Sequence, residues 1–194
     1  QLPGSPPSAS QFPPYDEPSI YGYTVDCGKV FDNAAGQSSF SVPHLVGATV
    51  DIVADGAVQA TQVVPNSGTV TLGRLSYRTQ IGLHFQTTIK LLTPEAAGGA
   101  GSAQGNAMST SEVSLRLLNT AGASVYRDDG TIVEELSFRQ FGLDVLDQPP
   151  QFFSGIKRAE HLGWMQGEDG LSIAQDQPLP FTLLNVIRKF SFND

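Results

Sequence analysis

The chain has 194 residues, of which 15% are charged, with 20 glycines, 13 prolines and a formal net charge of −8. A chain of this length hides roughly 70% of its unfolded surface on folding, enough for a core without covalent staples. Its single cysteine, Cys27, excludes an intrachain disulfide and a thiolate metal cluster. The acidic balance excludes a surface that wraps a nucleic-acid backbone, which needs clustered Lys and Arg, and no apolar run of about 18 residues is present to span a membrane.

Residues 1–20 are dense in Pro, Ser and Gly and carry too little apolar surface to offset chain entropy. They read as an extended arm or linker, stiffened toward polyproline II by Pro6-Pro7 and Pro13-Pro14. Phe12 and Tyr15 stand among these prolines with nothing local to cover them, which makes them candidate contacts with a neighbouring subunit.

Residues 21–93 predict a small β domain. Strand-like pieces cover Tyr23 to Asp26 and Ser39 to Val42, and Cys27 reads as a small buried apolar residue. Val50 and Ile52 then alternate with polar positions, Asp55-Gly56 supplies a dipeptide that tolerates positive φ, and alternation resumes at Val70 and Leu72 after Asn66-Ser67-Gly68. A tight hairpin at 55–56 follows. Between Thr79 and Leu92, Ile81, Leu83, Phe85, Ile89 and Leu91 fall on one side of a period-2 pattern, with His84 on the polar side.

Residues 94–110 form a Gly-rich stretch. Gly98, Gly99, Gly101 and Gly105 invite a phosphate cradle, but Asn106-Ala107 stand where Lys-Ser/Thr would be required, so a surface loop is expected.

Residues 111–194 predict a second β domain or a continuation of the same sheet system. Strand patterns run through Val113 to Leu117, Ala123 to Arg127 and Ile132 to Phe138, separated by turns at Asn119 to Gly122 and Asp128-Asp129-Gly130. The two aspartates lack the ligand spacing of a calcium loop. From Asp147 to Gly155 the chain reads as a long irregular connection, extending as an aromatic segment from Gln148 to Trp164. Phe152, Phe153 and Trp164 are therefore candidate interface anchors alongside Phe12 and Tyr15. Two strands close the chain, Gly170 to Gln175 and Phe181 to Phe192, the second with Leu184, Val186, Phe190 and Phe192 on one face. Regularly spaced turn signals predict an all-β fold, an antiparallel sandwich or small barrels with long loops and an extended Pro-rich N-terminal arm.

No catalytic grouping is legible. Gly-x-Ser-x-Gly is absent, and His44, His84 and His161 lie far apart, with no pair at metal-ligand spacing. The adjacent carboxylates Asp128-Asp129, Glu134-Glu135 and Glu168-Asp169 are explained by turns and charged strand edges, because neighbours on a strand point to opposite faces. The expectation is a protein that is not an enzyme and holds no cofactor or metal.

Several segments in order resemble the tail nozzle (stabilisation or tail-tubular) proteins of short-tailed bacteriophages. They are Val25-Asp26-Cys27-Gly28, His44-Leu45-Val46-Gly47-Ala48-Thr49-Val50, Ala54-Asp55-Gly56-Ala57, Gly68-Thr69-Val70-Thr71-Leu72, Ile81-Gly82-Leu83 and the loop from Pro94 to Gly105. Val113-x-Leu115-Arg116-Leu117, Phe153 to Arg158 and Ile173 to Leu184 complete the pattern. The resemblance covers residues 23–192 and corresponds to the C-terminal part of those proteins. One departure is Asn106-Ala107-Met108-Ser109-Thr110, where relatives often carry a basic run.

The resemblance implies a structural protein of the virion, in the phage tail or connector. It would form a homo-oligomeric ring, a hexamer, with contacts to other tail or connector proteins, and take part in genome ejection. DNA would pass through the channel without specific binding. The alternative is a glycan-binding or adhesion module on a virion surface, using Trp164 and the tyrosines Tyr15, Tyr21 and Tyr23. A hydrolase with two facing carboxylates is a third reading.

Overall fold

The computed structural model describes residues 24–92, 94, 97–98, 101–102, 108–127, 132–136, 138, 152–165 and 170–192. Among them the protein is all-β: every strand pairing is antiparallel, and the only helical element is a single 3-10 turn at Pro43–Leu45. The Pro-rich arm, with Phe12 and Tyr15, lies outside the described residues. The chain divides into two compact units, one holding 24–85 and 178–180, the other the described parts of 86–140, 151–177 and 181–192.

The first unit is one sheet of four strands, β1 (Asp26–Ser41), β2 (Thr49–Ala54), β3 (Ala57–Val63) and β4 (Thr69–Leu83), in the order β1-β4-β2-β3. β1 and β4 have 16 and 15 residues, far beyond an ordinary strand, and they stay paired by bending. Their register runs from Asp32↔Arg78 through Gln37↔Ser76 to Ser39↔Thr71, with shifts on either side of Gln37. Such bulges raise twist and curl a sheet. As a result Phe40, Val42, Val70 and Leu72 from one end share a core with Val50, Ile52 and Ile81 from the other.

The turn expected at Asp55-Gly56 is present. Ala54 pairs with Ala57, and the two loop residues have φ of 51° and 79°, the left-handed conformation at both centres that matches the twist of paired strands. Val50 to Ala54 are all buried, so β2 is covered on both faces and not only on the alternating one. Cys27 differs from expectation: it is exposed, with φ of 46°. The cause is the register shift between Asp26 and Lys29, which lifts Cys27 out of the ladder.

The second unit is a sandwich. β5 (Thr87–Lys90), β9 (Ala123–Arg127), β10 (Ile132–Leu136) and β12 (Leu171–Gln175) form a sheet in the order β10-β9-β12-β5. β8 (Met108–Thr120), β11 (Phe153–Met165) and β13 (Leu183–Phe192) form the other, in the order β11-β8-β13, and β6 (Ala97–Gly98) pairs with β7 (Gly101–Ser102) alone. Val113, Leu115, Leu117 and Ala159 meet Ala123, Val125, Leu136, Leu171 and Ile173 between the sheets.

Four expectations are corrected here. The segment read as irregular from Phe153 to Trp164 is a strand along the whole of β8; Gly155, Ala159 and Gly163 leave gaps in its apolar alternation, and the pairing that orders it is distant in sequence. The period-2 run from Thr79 to Leu92 is broken after Leu83, and Thr87–Lys90, assigned to the first domain by pattern, pairs with β12 instead. The expected loop 94–110 contains the β6–β7 pair and the first residues of β8. Finally, Leu184 does not share the face of Val186: Val186 packs on the core while Leu184 is exposed, because the register shift after Leu183 interrupts the alternation.

Candidate functional site

The candidate residues fall in different places. Phe152 is half-buried. Phe153 packs on the core of its own unit, edge-to-face with Phe138 at 6.1 Å between centroids, and the Lys157 ammonium lies 4.8 Å from the Phe153 ring centre. Trp164 lies in β11 with its backbone opposite Ser109. Phe12 and Tyr15 lie outside the described residues.

The polar clusters hold the framework together. Asp55 directs one carboxylate oxygen at the backbone amides of Tyr77 and Arg78, 2.9 and 2.8 Å away, while the other oxygen is 3.4 Å from Arg74. The hairpin tip is thereby fastened to β4. His84 Nδ1 lies 2.7 Å from Oδ2 of Asp51, a buried carboxylate on β2 that would be costly without a partner. His44 Nε2 lies 3.0 Å from the Cys27 carbonyl. The backbone of His161 sits in β11, well away in sequence from both. Glu134 accepts a hydrogen bond from the Glu160 amide at 3.1 Å. Among the described residues no group of three His, Cys, Asp or Glu is placed to hold a metal ion, and no helix is long and apolar enough to cross a membrane.

The feature with the character of a contact surface is the outward face of β11-β8-β13. Across its strands Ile156, Arg116 and Asn185 stand level, then Arg158, Ser114 and Ile187, then Glu160, Glu112 and Lys189. Glu112 is the polar centre. It meets Lys189 Nζ at 2.7 Å, accepts from the Ser114 hydroxyl at 2.7 Å and has Arg158 Nε at 3.7 Å. The Lys189 hydrogen bond is the main reason its carboxyl lies below the usual value, with Ser114 next. Around this network Leu118, Ile156, Leu184 and Ile187 are 43 to 56% exposed. Apolar side chains interleaved with a few ordered charges suit a protein contact better than a small-molecule cleft.

Sequence reasoning missed these residues because it placed β11 in an irregular segment and put Leu184 on one face with Val186. A signal was present: Leu184, Ile187 and Phe190 recur every third residue, a spacing that no single face of a regular strand can bury. No family model matches this chain, and no curated protein matches it at a significant level.

Proposed function

We propose that this chain is a non-enzymatic structural protein of a virion, a tail nozzle or connector component that assembles with copies of itself into a ring around a DNA channel. The ordered series of segments from Val25 to Leu184 that resembles phage tail nozzle proteins carries this reading. Several of those segments occupy framework positions: Ala54-Asp55-Gly56-Ala57 is the β2–β3 hairpin, and Ile173-Ala174-Gln175 lies in an inner strand of the sandwich. Work by shape and contact also agrees with an exposed sheet face that mixes apolar and charged groups. The net charge of −8 suits a channel wall that repels phosphate and lets DNA slide.

The test is to purify the full chain, image it by electron microscopy, and locate a C-terminal label on intact phage particles. Rings in solution and a label at the tail or connector are the expected results. A label absent from particles, or reproducible hydrolysis of polysaccharide, peptidoglycan or ester substrates that is lost on changing one carboxylate, would overturn the reading.

A further inference from the structure

β13 is an edge strand, bonded to β8 on one side and to no described strand on the other. Every residue from Leu183 to Ser191 is at least partly exposed, including the inward-facing Val186. Edge strands are normally blunted, since their free N–H and C=O groups recruit other strands. On the opposite edge of the same sheet, the Glu134 carboxylate accepts the Glu160 amide of β11. The β13 sequence LLNVIRKFSF contains no proline. It also carries Leu184, Ile187 and Phe190 exposed at 53, 54 and 37%.

We propose that β13 pairs antiparallel with β13 of a second copy of this chain, about a two-fold axis at Ile187. The residue order selects this partner and this register. Centred on Ile187, the pairing sets Ile187 against Ile187, Leu184 against Phe190, Val186 against Arg188 and Asn185 against Lys189. Ile187 of the outward face then meets its own copy, and each cation meets a neutral residue. Centring on Arg188 instead would oppose two guanidinium groups, which directly opposed strands do not tolerate well. The Pro-rich arm is a poor occupant, because prolines at 3, 6, 7, 13, 14 and 18 cannot donate to a ladder. An isologous pair of this kind joins the two three-stranded sheets into one continuous sheet and covers both open edges at once. It is a two-fold contact, distinct from the head-to-tail contact that closes a ring, and it does not rest on the function proposed above.

The experiment uses the full chain with Cys27→Ser, which removes the one native thiol. Ile187→Cys in that background should give a covalent dimer on mild oxidation, since directly opposed antiparallel residues have Cα atoms about 4.5 to 5.5 Å apart, a span a disulfide bridges. Leu75→Cys, at an exposed apolar position in the first unit, should remain uncoupled. Separately, Ile187→Asp should weaken self-association at least about tenfold in sedimentation, through two facing carboxylates, while circular dichroism stays unchanged. Failure of Ile187→Cys to couple above the Leu75→Cys level overturns the pairing, as does a wild-type chain that sediments as a monomer at its highest soluble concentration. Rings that form without the 187–187 link would also overturn it while leaving the virion reading standing; linked pairs on a chain absent from particles would do the reverse.

Discussion

Asp55 shows how much one residue decides. It adopts positive φ, which Asp tolerates better than most side chains, and its carboxylate supplies the acceptor for two backbone amides of β4 that face the hairpin tip. Replacing it with Ala removes a charged acceptor and leaves the Tyr77 and Arg78 amides without it, at a cost of about 3 kcal/mol. Asp55→Asn keeps the conformation and one acceptor oxygen and should lose well under half of that; urea unfolding of both variants checks the order. Gly82 is a second such position. A methyl there would stand 2.6 Å from the Asp26 carbonyl oxygen and 2.7 Å from the Gly28 Cα, both backbone atoms. Gly82→Ala should therefore push β1 from β4 and destabilise by about 1–3 kcal/mol, and an unchanged thermal midpoint would count against that close approach.

At the scale of elements, the β11-β8-β13 sheet is held on its outer face by the Glu112 network. Its carboxyl lies below the ordinary value of 4.5 in the folded protein because Lys189 and Ser114 hydrogen-bond its ionised form. A depressed carboxylate contributes stability that is fully present above the unfolded value and disappears as pH falls through the folded one. Glu112→Gln should thus cost a small amount at pH 7, less in high salt, and nothing once the pH is well below 4.5. Denaturant midpoints of the two proteins across that range give the test, and a difference that persists undiminished in strong acid would assign Glu112 another role.

At the scale of the whole molecule, the two units have separate cores. Deleting residues 1–18 should leave the circular dichroism spectrum and thermal midpoint nearly unchanged and reduce incorporation into particles, since Phe12 and Tyr15 would no longer reach a neighbouring subunit. Incorporation at the wild-type level would make the arm a linker only. The boundary between the units at Phe85 and Gln86 falls inside a run that the pattern of alternation carries through without interruption. Periodicity reports the side chains of one strand and is blind to which sheet that strand joins.

By itself the sequence determined the class of fold and its sharpest turn. Alternation at Val50, Ile52, Val70 and Leu72 and the Asp55-Gly56 dipeptide are local signals, because φ preference and strand period are properties of neighbours along the chain. It also located much of the core, since Val113, Leu115 and Leu117 bury the face that the pattern predicts. Tertiary structure alone decided the rest. β11 is ordered by a ladder to β8 that begins more than thirty residues earlier, Cys27 and Leu184 are turned outward by bulges, and the exposed surface around Glu112 exists only where three separated strands stand side by side. Register shifts and long-range pairing are set by the energy of the assembled sheet, so no window of neighbouring residues contains them.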